Sequence, residues 1–148
     1  MTFIPAPDEN LLTALADISD NCFSGVERPP RDFFKQMARS SKLFVYQSEV
    51  TWGPVRPIYG YLLLNEKNGD PYIWSIAVPG NYRGIGCGAG LIREAADYVK
   101  ENSGSCLTLT VNVNNPAQKL YFNEGFRITA FARNYYGSEN GLLMRREL

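Results

Sequence analysis

The sequence has no histidine and only three cysteines, Cys22, Cys87 and Cys106. Histidine is the side chain that most often serves as a general base near neutral pH, and it completes the Ser-His and Cys-His nucleophile pairs, so its absence excludes these chemistries. An odd and irregularly spaced set of cysteines argues against a disulfide framework and fits a reducing cytoplasm. With neither histidine nor a C-x-x-C pair, the sequence predicts no metal site.

The sequence also lacks net charge and any long apolar run. The 15 Lys and Arg residues balance the 15 Asp and Glu residues, so the basic field that typically binds nucleic acid is missing. No segment reaches the ~20 apolar residues that span a bilayer, and residues 1–7 lack the basic and apolar regions of a signal peptide. We therefore expect a cytoplasmic protein whose partners include neither nucleic acid nor a membrane.

Length and composition predict one globular domain. The chain has 148 residues, of which 45% are hydrophobic, and this is enough for one core. Residues 1–148 are therefore expected to form a single domain. The sequence does not fix the oligomeric state, for which a homodimer is one option.

Hydrophobic periodicity predicts both helices and strands. Helices are predicted over 9–22, 31–40, 91–100 and from an Asn114-Asn115-Pro116 cap to near Gly125, and strands over 43–46, 58–65, 72–78, 107–111, 126–133 and 142–147. The prolines of 51–57 predict a turn. This order predicts the α/β (α+β) class, with a mixed, largely antiparallel sheet flanked by helices and one parallel pair within 72–111.

The most informative segment is the glycine-rich stretch 83–90, which reads R-G-I-G-C-G-A-G. It joins a predicted strand to a predicted helix. Backbone N–H groups in such a turn converge on one point, and the helix dipole adds positive potential there. Four alternating glycines also cost backbone entropy that a plain connection would not require. The segment therefore predicts a phosphate-binding site.

The context disfavours two other phosphate-binding motifs. The spacing G-x-G-x-x-A at 84–89 formally matches the dinucleotide fingerprint. That fingerprint expects an acidic residue about 20 positions further on, but 105–108 contain none, and the chain has too few β-α alternations for that fold. No glycine is followed by Lys-Ser or Lys-Thr, which excludes a P-loop.

Two motifs occur in a fixed order in the C-terminal part of the chain. R-x-x-G-x-G at 83–88 follows an Ile-Ala-Val strand, and N-x-x-A-x-x-L-Y-x-x-x-G-F at 114–126 follows the next strand. Together they resemble the GNAT family of N-acetyltransferases, and the resemblance covers about residues 58–148. N-Y-Y at 134–136, followed by L-L-M, looks like the last hairpin of the subgroup that acetylates protein N-termini, such as the ribosomal-protein alanine acetyltransferases.

The resemblance implies that acetyl coenzyme A is the co-substrate. The backbone of the glycine segment would hold its pyrophosphate, and a strand end would pair main-chain groups with its pantetheine arm. The implied cofactor-binding residues are Ile76, Ala77, Val78, Arg83, Gly84, Ile85, Gly86, Cys87, Gly88, Ala89 and Asn114. Because acetyl transfer to an amine needs no enzyme nucleophile, Cys87 is expected to act only as a small residue of that segment.

The same resemblance makes Tyr121 the candidate general acid, which protonates the thiolate of coenzyme A as it leaves. The general base is not evident, because neither strand that often carries a glutamate in relatives contains an acidic residue. Tyr72 matches a tyrosine that some N-terminal acetyltransferases use, although an ordinary tyrosine pKa of about 10 suits a base poorly. Tyr135 and Tyr136 are implied to line the acceptor slot.

The sequence thus predicts an acetyl-coenzyme-A-dependent N-acetyltransferase in which a primary amine attacks the thioester directly. Backbone N–H groups near Val78 would stabilise the oxyanion. A protein N-terminus or a lysine is the favoured acceptor. Two alternatives stay open: an acetyltransferase for a polyamine or another small amine, and a module that binds coenzyme A without turnover.

Overall fold

The computed structural model describes residues 2–51, 53 and 56–148. Within these residues it has seven strands and four α-helices. In chain order they are β1 (Thr2–Ile4), α1 (Glu9–Cys22), α2 (Arg31–Ser40), β2 (Lys42–Gln47), β3 (Ile58–Lys67), β4 (Asp70–Ala77), α3 (Cys87–Glu101), β5 (Cys106–Asn112), α4 (Gln118–Asn123), β6 (Arg127–Tyr136) and β7 (Glu139–Glu147). The turn predicted over 51–57 lies partly outside the described residues.

The strands form one sheet in the order β1-β2-β3-β4-β5-β7-β6. Neighbouring strands are antiparallel except for β4 and β5, which run parallel and are joined through α3. A helical crossover produces this pair because it returns the chain to the same end of the sheet. The predicted mixed, largely antiparallel fold is therefore confirmed, including its parallel pair.

A hydrophobic core lies on each face of the sheet. Successive residues of β3 alternate between the two: Leu62 and Leu64 pack in the core that contains α3, whereas Tyr61 and Leu63 pack in the core under α1 and α2. Burial on both faces explains why β3 is a continuous apolar run in the sequence. Among the described residues, the core under α1 and α2 includes none from β5, β6 or β7. These two helices therefore cover only half of that face of the sheet.

The first two helices match their predicted bounds. Asp8 caps α1 by accepting a hydrogen bond from the backbone N–H of Leu11 at 2.8 Å. Arg31, at the start of α2, lies 2.9 Å from the Asp17 carboxylate and 2.6 Å from the Asp20 carboxylate of α1. These ion pairs hold the two helices together and thereby position the connection between them, which contains a short 3-10 turn at Gly25–Glu27.

The parallel strands β4 and β5 pair only over a short length. Their pairing involves Tyr72 and Ile73 of β4 and no later residue of the strands as described. On the other edge of β4, two consecutive residues of β3 pair with Ile73 and Ser75, so Trp74 is an extra residue that forms a β-bulge. A bulge bends its strand and increases its twist. β4 therefore separates from β5 after Ile73, and a cleft opens between the two strands.

Some element bounds differ from the prediction. The sequence does not predict β1, because a strand of three residues is too short to show a hydrophobic periodicity. α3 begins at Cys87 rather than near Leu91, since Gly86 with φ 90° already supplies the turn. α4 begins only at Gln118, so the prediction of an Asn114 cap is wrong: the side chain of Asn115 accepts a hydrogen bond from the Ala117 N–H at 2.9 Å and forms a separate turn.

The last hairpin is tighter than predicted. β6 continues through Tyr136 and β7 starts at Glu139, so the predicted loop 134–141 belongs largely to strands. Asn134 adopts φ 53° and donates its backbone N–H to the side chain of Asn140 at 2.9 Å. This local bend carries Tyr135 and Tyr136 toward β5.

Candidate active site

A cavity of about 810 Å³ lies between the glycine segment and the cleft between β4 and β5. It is lined by ten of the residues that were predicted to bind the cofactor: Ile76, Ala77, Val78, Arg83, Gly84, Gly86, Cys87, Gly88, Ala89 and Asn114. Ile85 does not line it, and its side chain is 70% exposed. The strand end, the turn and the start of α3 therefore form one wall, which we call the cofactor wall (residues 76–78, 83–84 and 86–89).

Two glycines in the left-handed region shape the turn of this wall. φ is 80° at Gly84 and 90° at Gly86, and a Cβ at either position would meet no neighbouring atom. These glycines are therefore required by backbone conformation and not by close packing. Gly86 is the N-cap of α3, and no described side chain caps the helix there. The N–H groups of the first turn thus remain available to an anion, which the helix dipole also attracts.

Arg83 connects the turn to the end of β4 by a hydrogen bond. Its Nε donates to the carbonyl of Val78 at 2.8 Å, and its Nη2 lies 3.8 Å from the Sγ of Cys22. The carbonyl of Val78 is therefore engaged within the protein.

Asn114 also lines the cavity and makes a hydrogen bond to the last hairpin. Its Nδ2 donates to Glu139 Oε2 at 2.7 Å, while its backbone N–H donates to Asn112 Oδ1 at 2.9 Å. Hydrogen bonds from Asn114 and Asn112 keep the pKa of the Glu139 carboxyl below its ordinary value. Asn114 thus places a carboxylate at the rim of the cavity.

A second cavity, of about 390 Å³, adjoins the first. Its wall, which we call the acceptor wall, consists of residues 26–30 between α1 and α2, Phe33 of α2, residues 72–76 of β4, residues 109–112 of β5, and Tyr135 and Tyr136 of β6. Tyr72, Tyr135 and Tyr136 were all predicted to lie near the reacting groups, and the structure brings them together. The bulged residue Trp74 also lines this wall, which the sequence did not indicate.

Hydroxyl groups organise the acceptor wall around Thr110. The phenol of Tyr72 donates to Thr110 Oγ1 at 3.0 Å, and the phenol of Tyr136 donates to the Thr110 carbonyl at 3.2 Å, beyond the point where β4 leaves β5. Lys67 Nζ donates to the hydroxyl of Tyr135 at 3.2 Å. Burial raises the pKa of both Tyr72 and Tyr136, so these phenols stay protonated. These contacts do not support the predicted base role of Tyr72.

The two cavities share a boundary. The residues that line both are Phe23, Glu27, Ile76, Asn112, Asn115 and Tyr121. Within this set, Glu27 and Tyr121 are the side chains that titrate. An acid and a base at the boundary between two slots can move protons when a group passes from a ligand in one slot to a ligand in the other.

Tyr121 is a rigid and protonated group at this boundary. It is only 6% exposed and packs edge-on against Phe126, with ring centroids 6.0 Å apart. Burial raises the pKa of Tyr121 to about 12, with no charged neighbour contributing. The phenol therefore keeps its proton at physiological pH and can donate it to a developing anion.

Glu27 is the functional candidate that the sequence did not reveal. It ends the 3-10 turn between α1 and α2, far in sequence from the two strands in which an acid was expected. Burial raises the pKa of its carboxyl, the charge of Glu139 raises it further, and a hydrogen bond from Asn112 offsets part of the shift. A raised carboxyl pKa suits a base that works near neutral pH. No local pattern marks this loop residue, because only the fold brings it to β5.

A ligand that reaches from an anion site at a helix N-terminus, along a strand end, to an acid and a base has the form of an acyl coenzyme A. The fold and the site therefore define an acyl-coenzyme-A-dependent transferase. Residues 12–126 match the Acetyltransferase (GNAT) family, so the chain belongs to this family of acetyltransferases and uses acetyl coenzyme A. The resemblance inferred from the two motifs is confirmed. Among curated proteins, no relative matches the chain significantly.

Solved structures share the fold. Ard1 from Thermoplasma volcanium has a TM-score of 0.81 at 19% identity, over 99% of this chain and 97% of that chain. The ribosomal-protein-S18-alanine N-acetyltransferase from Escherichia coli has a TM-score of 0.76 at 19% identity, over 99% and 92%. A protein assigned as a streptothricin acetyltransferase from Bacillus anthracis, solved with acetyl coenzyme A, has a TM-score of 0.64 at 25% identity, over 73% and 62%. The chain thus spans less than two thirds of the length of this last relative.

Two further findings concern metals and membranes. In the part of the chain that the structure describes, no group of three His, Cys, Asp or Glu side chains is placed to hold a metal ion. None of the described helices is both long enough and apolar enough to cross a membrane.

Proposed function

We propose that this protein transfers the acetyl group of acetyl coenzyme A to a primary amine, with Tyr121 as general acid and Glu27 as general base. The observation that carries this proposal is the position of these two titratable side chains where the cofactor cavity meets the acceptor cavity. A protein or peptide N-terminus is the favoured acceptor, followed by a lysine side chain.

The cofactor wall accounts for the orientation of acetyl coenzyme A. The pyrophosphate of acetyl coenzyme A binds the uncapped N-terminus of α3, where Gly84 and Gly86 shape the turn. Its pantetheine arm lies along the end of β4, in the cleft left open by the bulge at Trp74. This orientation places the thioester beside Tyr121, at the boundary with the acceptor cavity.

The acceptor enters from the other side and attacks the thioester carbonyl carbon. A bond forms between the amine nitrogen and this carbon, while Glu27 accepts a proton from the nitrogen, directly or through a water molecule. Backbone N–H groups in the β4 cleft stabilise the oxyanion. As the carbon–sulfur bond breaks, Tyr121 gives its proton to the thiolate of coenzyme A, and both side chains then return to their starting states through solvent.

Asn112 and Glu139 adjust the base. The amide of Asn112 hydrogen-bonds the Glu27 carboxyl, and Glu139 adds a nearby negative charge that raises its pKa. Tyr72, Tyr135 and Tyr136 form the side of the acceptor slot and supply hydroxyl groups that hold the substrate in place. In this mechanism Tyr72 orients the acceptor and does not remove its proton.

A small amine is the second candidate acceptor. This candidate is supported by the likeness to the protein assigned as a streptothricin acetyltransferase. Its sequence identity of 25% is higher than that of the two other relatives described above. A module that binds coenzyme A without turnover is less well supported, because Glu27 supplies the acidic side chain that the strands lack.

The test is an acceptor panel with acetyl coenzyme A. Peptides with a free N-terminus, an N-terminally blocked peptide that contains lysine, and a polyamine are each incubated with the protein. Release of free thiol and a mass increase of the acceptor are measured together. We expect both signals with a free N-terminus. Binding of acetyl coenzyme A without acetylation of any amine would contradict the proposal.

A further inference from the structure

The part of the acceptor wall beyond Glu27 is apolar and open. Val26 is 71% exposed and Phe33 is 49% exposed, although both line the cavity. The ring of Phe33 contacts that of Trp74 edge-on, with centroids 5.8 Å apart. Large apolar side chains in a concave site provide binding free energy for an apolar group of a ligand.

This apolar surface lies close in the chain to residues at the boundary of the two cavities. Val26 immediately precedes Glu27 in the 3-10 turn, and Trp74 lies two residues before Ile76, which lines both cavities. Val26, Phe33 and Trp74 therefore line the same cavity as Glu27, where the amine would be held. This surface is thus within the cavity that would hold the group attached to the carbon that bears the amine.

The carboxylate of Glu27 opposes a second carboxylate at that point. The charged lining residues of the acceptor wall in the described part of the chain are Glu27 and Arg28. The Nε of Arg28 donates to the carbonyl of Phe23 at 3.0 Å, which ties this exposed side chain back onto its own loop. In a free amino acid the carboxylate lies next to the amine and would approach Glu27. A peptide replaces this carboxylate by a neutral amide.

We propose that the acceptor is the N-terminal amine of a peptide or protein whose first side chain is large and apolar, such as that of leucine, methionine or phenylalanine. This proposal rests on the proposed acetyltransferase function and assigns the acceptor class of the same site. The first side chain packs on Val26, Phe33 and Trp74, and the following amide lies beside the hydroxyl groups of Tyr135 and Tyr136. A cavity of about 390 Å³ holds only the tip of such a chain.

The test compares peptides that differ only in their first residue: leucine, phenylalanine or methionine against glycine, serine or aspartate. Leucinamide and free leucine are added as small acceptors. We expect kcat/KM to be at least ~10- to 200-fold higher for the large apolar group than for glycine, since a hydrophobic pocket provides this range for a single methylene. Leucinamide should be acetylated faster than free leucine.

Substitution of the wall separates a direct contact from a general effect. Phe33→Ser should remove most of the preference for leucine over glycine, measured as the ratio of kcat/KM for the two peptides. Val26→Ser provides a second variant of the same surface. The matched control is Phe131→Ser, since Phe131 is 64% exposed on β6 and lines neither cavity.

The outcomes distinguish this inference from the proposed function. Acetylation of all peptides without preference, or a preference for glycine, serine or aspartate, would overturn the acceptor class while the acetyltransferase function stands. Acetylation of a polyamine but of no peptide would do the same. If no amine is acetylated, the proposed function itself fails.

Discussion

The cofactor wall and the acceptor wall are built by different means. The cofactor wall comes from the end of β4 and one following segment, where main-chain groups supply the contacts and two glycines with positive φ set the geometry. The acceptor wall joins four segments that are distant in sequence, and it acts through side chains. Substitutions therefore change the acceptor wall readily, whereas the cofactor wall depends on backbone conformation and little on side-chain identity.

Tyr121→Phe should cause the largest loss, because this phenol lies at the boundary that both walls share. General acid catalysis contributes ~10²- to 10⁴-fold, and we expect kcat to fall by about that factor. The KM for acetyl coenzyme A should change little, since the phenol interacts with the sulfur mainly as the thiolate forms. Thiol release at saturating acetyl coenzyme A measures the effect.

The control for this variant is Tyr98→Phe. Tyr98 stacks on Phe3 at a centroid distance of 5.4 Å and lines neither of the two cavities. It should retain full activity. Equal activity of the two variants would mean that Tyr121 is only a packing residue.

The contrast between the walls also explains what the sequence could predict. The glycine segment and the motif with Tyr121 are local, so their spacing alone indicates the cofactor site. Glu27 belongs to no motif, and the helical spacing of Phe33 predicts only a helix, because the roles of both residues arise from the way α1 and α2 cross one half of the sheet. Trp74 lies in a predicted strand, but the bulge that directs it into the acceptor wall depends on its pairing with β3.

Glu27→Gln should have the second-largest effect, about a 10²-fold loss of kcat/KM. A base must be deprotonated, so activity rises with pH through the pKa of Glu27, which burial and Glu139 raise. Deprotonation of the acceptor amine, with a pKa near 7.7–8.0 for a free α-amine, gives a second rise at about that pH. The variant should lose the rise that belongs to Glu27 and keep the one that belongs to the amine.

The fold of this variant should stay intact. Because the folded-state pKa of Glu27 is raised, its ionised form is disfavoured in the folded protein, and the stability it contributes falls as pH rises through this pKa. A neutral glutamine should therefore not lower the Tm at neutral pH. Glu66→Gln, an exposed residue near the end of β3, is the matched control for activity. An unchanged pH profile in Glu27→Gln would exclude the base role.

Gly86→Ala should weaken the binding of acetyl coenzyme A at the cofactor wall and leave the acceptor wall unaffected. An L-residue in the left-handed conformation costs ~1–2 kcal/mol, so we expect the KM for acetyl coenzyme A to rise about tenfold as the turn relaxes away from this geometry. At saturating acetyl coenzyme A, the preference among acceptors should be unchanged. Gly69→Ala is a close control, because Gly69 has φ 85° and open space around it but lies in the β3–β4 turn. An equal rise in KM for both variants would point to general destabilisation.

Glu139→Gln should produce the smallest effect and the most specific one. The charge of Glu139 raises the pKa of Glu27, so its removal should lower that pKa and move the corresponding rise in activity toward lower pH. The side chain of Glu139 is exposed, and solvent screens its field, so the shift should be small. Glutamine keeps an oxygen for the hydrogen bond from Asn114, which preserves the hairpin. A shift toward higher pH would contradict the link between the two carboxylates.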